Sequence, residues 1–353
     1  MIPKEVLSAY GIDDRQASIQ PVGQGLINHT WLVNIADRAW VLQEINHQVF
    51  TDPGAIDRNI AAIAHYLRKQ APGYFLPAPL PAKNGQTMVS VASPENGNRY
   101  YRILPFVEGS HTITTVTKPE QAFAAAAAFG GFTKLLSGYP AESLEITLPD
   151  FHNLLLRYEQ FQAACKTGNP ERYREALRWI DFLSGQTDLV EEYKEIVQHP
   201  DFHIRVTHHD TKISNVLFDA ADEVLCVIDL DTVMPGYFIS DVGDMMRTYL
   251  PTVSEEEKDL SRIQVRESVY EAIVHGYAKS MGEELTAAEK EHFFFAGTSM
   301  IYMQAIRFLT DYLAGDVYYG QQYEGQNLVR ASNQCVLLQR LFSLTDRLTR
   351  CGN

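Results

Sequence analysis

Apolar positions follow two different periods along the chain, which divide it into a strand-rich first third and a helix-rich remainder. Short apolar runs between turn residues predict antiparallel strands, while apolar residues at spacings of three and four predict amphipathic helices. The strands predicted in the first third are residues 19–22, 31–33, 40–42, 88–91 and 100–104. The fold class is therefore α+β, with a β-rich N-terminal lobe at 1–105 and a helical C-terminal lobe at 106–353.

Capping signals indicate where several helices begin. The predicted helices are residues 53–70, 122–136, 150–164, 170–183, 188–198, 254–280, 286–313 and 328–350. Thr117, Ser254 and Thr286 each precede a glutamate by three residues, which is the spacing of a capping box. Residues 124–128 and the glycines at 130–131 give one helix a small face, so we expect it to pack closely against another element.

One polar stretch carries the clearest candidate chemistry. His208 and Asp210 form an H-x-D string, followed five residues later by Asn215, by a predicted hairpin at 216–228 and then by Asp229. Phosphoryl transfer needs a carboxylate to accept the proton of the attacking hydroxyl, and oxygen ligands for the magnesium ion that neutralises a triphosphate. This order predicts Asp210 as the base and Asn215 and Asp229 as the metal ligands, with His208 as a support for the loop.

Lys212 follows the predicted base by two residues. A point cation at that position would offset the charge that develops on the transferred phosphoryl group. The alternative is an ordinary solvated loop lysine.

A turn between the first two strands is the candidate phosphate-binding loop. It contains Gly23 and Gly25, whose backbone N–H groups can approach phosphates closely, and Asn28 at the position of a third glycine. A kinase usually carries a lysine for the α- and β-phosphates on the strand that follows, but this chain has Gln43. Either Gln43 binds the nucleotide as a neutral donor, or magnesium and Lys212 neutralise the phosphates. The predicted cofactors are ATP and Mg²⁺.

Composition excludes several classes of partner. The net charge of −14 argues against nucleic acid or an anionic membrane, since both require a basic surface. No apolar stretch is long enough to span a bilayer, and the N-terminal residues lack the apolar core of a signal peptide. The four cysteines show no C-x-x-C spacing, which is typical of reduced thiols in a cytoplasmic protein. Small molecules are therefore the expected partners.

The order of these motifs resembles that of the aminoglycoside phosphotransferase and choline kinase superfamily of small-molecule kinases. Within that superfamily, residues 25–31, 209–219, 228–236 and 307–319 together resemble N-acetylhexosamine 1-kinases. The resemblance implies a bilobal protein-kinase-like fold with the active site in the cleft. It also implies ATP- and magnesium-dependent phosphorylation of the anomeric hydroxyl of N-acetylglucosamine or N-acetylgalactosamine, with Asp210 as the base.

Sugar recognition needs planar polar groups and an aromatic wall. The last matched segment supplies Arg307, Asp311, Tyr318 and Tyr319 as candidates, and His152 and Asn153 lie in another polar segment behind them. The alternative for Arg307 is an ion pair with Asp311, one helical turn later. The alternative for Tyr318 is ordinary packing.

Three other functions remain open at this point. Another hydroxyl kinase of the same superfamily, acting on an aminoglycoside, choline or homoserine, would keep the same motifs. A nucleotide-binding pseudokinase would have lost the base or the metal ligands, and all of these are present. A sulfatase or metallophosphatase could use His208, His209, Asp210 and Asp229 as a metal cluster, but a second histidine group is not apparent.

Overall fold

The computed structural model describes residues 2–22, 27–93 and 97–349, which form two compact units. Unit 1 comprises Met1–His111, Gly138–Pro149 and Leu217–Pro235, and unit 2 comprises Thr112–Ser137, Asp150–Val216 and Gly236–Asn353. Each unit thus combines segments from distant parts of the chain. Strands dominate the first third and helices the remainder, so the predicted α+β class is confirmed. The lobe boundary predicted between residues 105 and 106 stays a prediction.

Unit 1 is built on an antiparallel sheet of five strands in the order β1-β2-β3-β5-β4. The strands of the chain are β1 (Ser18–Pro21), β2 (His29–Ile35), β3 (Arg38–Ile45), β4 (Met88–Ser93), β5 (Gly97–Pro105), β6 (His111–Thr112), β7 (Arg205–Thr207), β8 (Val216–Phe218), β9 (Val224–Val227) and β10 (Met234–Gly236). All five strands predicted in the first third are therefore confirmed. Val33, Leu42 and Ile103 form the core of the sheet together with Val6 and Leu7 of the first helix.

Unit 2 is largely helical. The helices of the chain are α1 (Lys4–Ala9), α2 (Pro53–Gln70), α3 (Pro119–Leu135), α4 (Leu154–Thr167), α5 (Pro170–Ser184), α6 (Thr187–Ile196), α7 (Phe238–Tyr249), α8 (Glu267–Met281), α9 (Ala287–Glu291), α10 (Phe293–Ala314), α11 (Gln326–Phe342) and α12 (Thr345–Leu348). Within the described ranges, none of these helices is long and apolar enough to cross a membrane.

Two of the three predicted capping boxes are wrong. Helix α3 begins at Pro119, and Thr117 instead donates its N–H and hydroxyl to the side chain of Gln121. Helix α8 begins at Glu267, thirteen residues after Ser254, because residues 254–257 close a separate backbone turn. The box at Thr286 is confirmed, although the helix it opens is interrupted at His292 before α10 begins.

The predicted close packing of the small helix face is confirmed between α3 and α8. A Cβ atom on Gly276 would lie 2.4 Å from the carbonyl oxygen of Phe123, and one on Gly130 would lie 3.0 Å from the carbonyl oxygen of Tyr277. Gly131, next along α3, has no neighbour within 4 Å of such an atom. The two helices therefore approach through glycines on one face only.

Gly276→Ala and Gly131→Ala should consequently have opposite effects on the free energy of unfolding. We expect Gly276→Ala to destabilise the protein by about 1–3 kcal/mol, because the backbone of α3 must move away. Gly131→Ala should stabilise it by about 0.5–1 kcal/mol, because alanine loses less conformational entropy in a helix. Urea denaturation of both variants checks this, and equal effects would contradict the packing described.

Candidate active site

A buried carboxylate holds the backbone of the predicted catalytic segment. Asp241, on α7, accepts the N–H groups of His208 at 3.1 Å and of His209 at 2.7 Å, and it is fully buried. One turn later on the same helix, Asp244 accepts the N–H group of Thr211 at 2.8 Å. These contacts fix the backbone on both sides of Asp210.

His208 is a structural residue, as predicted. Its side chain is fully buried and packs edge-on against the ring of Phe129, with the ring centroids 5.0 Å apart. Its Nδ1 atom accepts the N–H group of Asp210 at 3.3 Å. The imidazole therefore supports the residue that follows it by two positions.

The structure brings together Asp210, Lys212 and Asn215. The Nζ atom of Lys212 lies 3.0 Å from Asp210 Oδ2, and Asn215 Nδ2 donates to the same oxygen at 3.0 Å. The amide of Asn215 also donates to the Asp210 carbonyl at 2.8 Å, so its orientation is fixed. Asp210 keeps 23% of its side chain exposed and Lys212 keeps 42%, so both can reach a ligand.

Two histidines share one serine beside this segment. His209 has a left-handed backbone with φ 66°, and its Nδ1 lies 2.7 Å from Ser240 Oγ. His152 Nδ1 lies 2.5 Å from the same oxygen. Burial, followed by the charges of His209 and Arg307, holds the pKa of His152 well below its usual range. His152 is therefore a neutral imidazole at physiological pH.

Arg307 lies among aromatic rings. We use the name acceptor cluster for Arg307 and its neighbours Phe151, His152, Tyr318 and Tyr319. The guanidinium carbon is 5.7 Å from the ring centroid of Phe151, 5.8 Å from that of Tyr318 and 5.6 Å from that of Tyr319. Phe151 stacks on His152 with centroids 4.3 Å apart. Among the residues that the structure describes, no carboxylate is within ion-pairing distance of Arg307.

Asp311 binds the loop after α10 and does not pair with Arg307. Its carboxylate accepts the N–H groups of Tyr318 at 2.7 Å and of Tyr319 at 2.9 Å, and the amide of Asn327 at 3.1 Å. The helical ion pair considered as an alternative for Arg307 is therefore absent. Asp311 instead positions the tyrosines of the acceptor cluster.

Two of the four residues predicted to bind the nucleotide, Asn28 and Gln43, lie in the described ranges, and both belong to unit 1. Gly23 and Gly25 lie outside the described residues. Asn28 donates to Asp231 Oδ2 at 2.7 Å and accepts the N–H group of Asn46 at 3.0 Å. The carboxamide oxygen of Gln43 accepts two N–H groups of one arginine, Arg102, at 3.0 and 2.7 Å.

The two predicted metal ligands offer oxygen atoms suited to a hard cation. Asp229 is half-buried and has a left-handed backbone with φ 61° at the start of a short 3₁₀ turn. Because Asn215 donates its NH₂ group to Asp210, its amide oxygen is directed away from that residue. No group of three or more His, Cys, Asp or Glu side chains that could hold a metal occurs in the described ranges. Magnesium needs only one or two protein ligands when phosphates supply the others, and carboxylate and amide oxygens are ligands of the type that it binds.

Sequence reasoning missed Ser240, Asp241 and Asp244, which contact residues 208–211 in unit 2. It also missed Arg102 and Asp231, which contact Gln43 and Asn28 in unit 1. The close spacing of Asp241 and Asp244 was visible, but nothing in the sequence showed that their carboxylates turn toward residues 208–211. Arg102 could have been found only from the register that pairs it with Gln43.

A model of the phosphotransferase enzyme family matches residues 18–287. Solved structures with a similar fold include a microcompartment-associated aminopropanol kinase, at 19% identity and a TM-score of 0.64, over 96% of both chains. An aminoglycoside phosphotransferase from Alicyclobacillus acidocaldarius has 13% identity and a TM-score of 0.66, over 99% of this chain and 97% of its own. An amicoumacin kinase in complex with AMP-PNP, Ca²⁺ and Ami has 14% identity and a TM-score of 0.62, over 97% and 91%.

The titration of Asp241 should be visible in stability. Burial raises the pKa of this carboxyl from 3.8 to about 7, against the opposing effect of its two backbone hydrogen bonds. A group whose pKa is higher in the folded than in the unfolded state adds to the free energy of unfolding at pH values below its pKa in the unfolded state. That contribution is lost as the pH rises through its pKa in the folded state. Wild-type protein should therefore lose stability relative to Asp241→Asn between pH 3.8 and about 7. Urea denaturation across this range checks it, and a difference that is constant with pH would contradict it.

Proposed function

Since the chain belongs to the phosphotransferase enzyme family, we propose that it transfers the γ-phosphoryl group of ATP to the anomeric hydroxyl of an N-acetylhexosamine. The family supplies the coarser statement, which is a small-molecule phosphotransferase acting on an alcohol group. The finer statement rests on the catalytic segment and on the charge of the acceptor cluster.

Asp210 is the base in this proposal. As the sugar oxygen forms its bond to the γ-phosphorus, the hydroxyl proton passes to the Asp210 carboxylate, and the bond from phosphorus to the bridging oxygen breaks to release ADP. Asn215 holds the carboxylate through a hydrogen bond of 3.0 Å and Lys212 through an ion pair of 3.0 Å, so it is oriented before the acceptor binds. The cation of Lys212 also offsets charge on the transferred group.

Asp229 and Asn215 would hold magnesium, and Asn28, Gln43 and the glycines at 23 and 25 would bind the nucleotide. When bound, the metal ion neutralises the phosphate oxygens and aligns the β- and γ-phosphates. The similar kinase solved with AMP-PNP and Ca²⁺ supports a requirement for ATP with a divalent cation.

The choice of substrate rests on one observation, which is that Arg307 of the acceptor cluster has no carboxylate partner among the described residues. Aminopropanol and aminoglycosides contain amines, which are cations at neutral pH, and a site for them needs nearby carboxylates. Burial, followed by the charge of Arg307, lowers the pKa of the neighbouring Arg157, so a second guanidinium lies close enough to Arg307 to interact with it electrostatically.

A neutral acetamido sugar matches the same residues. The guanidinium donates hydrogen bonds that a carbonyl or hydroxyl oxygen can accept, while the aromatic rings offer apolar faces to the ring carbons. His152 is neutral and adds no further charge. The anomeric hydroxyl is a hemiacetal and therefore more acidic than the other sugar hydroxyls, which makes it the easiest one for a carboxylate to deprotonate.

Replacing the base should separate catalysis from binding. Asp210→Asn can still accept the hydrogen bond from Asn215 through its remaining oxygen, so the loop should keep its conformation. We expect kcat to fall by about two to four orders of magnitude, because general-base catalysis is lost. Affinity for Mg·ATP, measured by isothermal titration calorimetry, should be nearly unchanged. Near-normal turnover would show that Asp210 is not the base.

Replacing Arg307 should impair the acceptor alone. Arg307→Met should raise KM for N-acetylglucosamine by about tenfold or more, because a donor to a polar substituent is lost, and leave KM for ATP unchanged. Arg178, which also lies over an aromatic ring at 4.5 Å, belongs to α5 and provides the control as Arg178→Met. ADP release should be faster with N-acetylhexosamines than with choline, aminopropanol or an aminoglycoside. A preference for any of these amines would contradict the proposed substrate.

A further inference from the structure

We infer that Arg102, on β5, supplies the cation that binds the nucleotide phosphates in place of the strand lysine that this chain lacks. The inference rests on the proposed function and adds a residue to it. All of the residues that carry it belong to unit 1.

Arg102 lies directly opposite the position where the lysine is missing. Gln43 on β3 and Arg102 on β5 are register partners in the antiparallel sheet, so both side chains project from the same face. The Gln43 carboxamide oxygen accepts from Arg102 Nε at 3.0 Å and from Nη2 at 2.7 Å. Gln43 therefore orients a neighbouring cation at the place where other kinases have a cation of their own.

A buried ion pair connects Arg102 to Asp231, which follows the predicted metal ligand Asp229 by two residues. Arg102 Nη2 lies 2.5 Å from Asp231 Oδ1, and each side chain is only 2% exposed. Asp231 also accepts a hydrogen bond from Asn28, which follows the predicted phosphate loop. The guanidinium is thus held between the elements to which we assign the nucleotide and the metal.

One arm of the guanidinium has no hydrogen-bond partner. Arg102 Nη1 is buried and unpaired among the described residues, whereas Nε and Nη2 are both used. Buried donors are nearly always satisfied in folded proteins, so an exception needs an explanation such as a catalytic role or a bound ion. The strongest partners for an arginine N–H group are carboxylate and phosphate oxygens. The ligand class that fits is the polyphosphate of a nucleotide, and Asp231 already balances the charge of the arginine when no nucleotide is bound.

Moving the positively charged side chain from β5 to β3 tests the inference. Arg102→Gln should weaken Mg·ADP binding by about 10-fold to 100-fold, as expected for a lost charge-assisted hydrogen bond. The double variant Gln43→Lys/Arg102→Gln returns the cation to β3 and should regain most of the affinity. Arg102→Lys keeps a charge beside Asp231 but loses the second arm, so it should bind more weakly than wild type.

Arg99→Gln is the matched control, because Arg99 is on the same strand and pairs with a carboxylate, that of Glu44, at 2.6 Å. Its affinity for Mg·ADP should equal that of wild type. Calorimetric titration gives the affinities, and melting temperatures with and without Mg·ADP separate binding from stability.

A purely structural ion pair would give a different result. Arg102→Gln and Arg102→Lys would then lower the melting temperature equally with and without Mg·ADP, and their affinities would match wild type, which would overturn the inference. If Arg102→Gln does not fold, the affinities of Arg102→Lys and of the double variant decide. Wild-type protein that fails to bind Mg·ADP would instead contradict the proposed function itself.

Discussion

The hydrogen bonds from two backbone amides to the buried carboxylate of Asp241 are the interaction on which the candidate active site depends. They fix His208 and His209, and through them the direction of Asp210. Their position depends on α7, which approaches α10 so closely that a Cβ atom on Gly243 would lie 2.4 Å from the carbonyl oxygen of Ala296. Core packing therefore positions α7, α7 positions the Asp241 carboxylate, and that carboxylate holds the loop that contains Asp210, the proposed base.

The acceptor cluster contains a positive charge, whereas the chain as a whole is negatively charged. The chain is acidic, with a net charge of −14, yet the acceptor cluster contains a guanidinium without a carboxylate partner among the described residues. Asp311, which sequence spacing made the natural partner of Arg307, is used to hold backbone amides of the following loop. The acid nearest in sequence is therefore unavailable to neutralise a cationic acceptor, which supports the neutral acceptor that we propose.

Regular periodicity made much of the fold predictable from the sequence. The apolar spacing of α2 identified residues 53–70 correctly at both ends, because its buried face follows the helical period. The cap at Ser254 failed because the same three-residue spacing also closes an isolated turn. The order of residues along the chain predicted that Asp210 and Asn215 act together, and the structure confirms that they lie close to each other. Arg102 and Asp241 could not be found in this way, since cross-strand register and the direction of a carboxylate depend on tertiary structure.

The position of the phosphate on the product identifies which hydroxyl of the sugar accepts the phosphoryl group. Wild-type protein would be incubated with ATP, magnesium chloride and N-acetylglucosamine, and the product examined by proton-coupled phosphorus NMR. An anomeric phosphate couples to the single proton on C1, whereas a phosphate on C6 couples to two. We expect the doublet of a sugar 1-phosphate. A 6-phosphate, or no sugar phosphate from either N-acetylhexosamine, would contradict the proposed function.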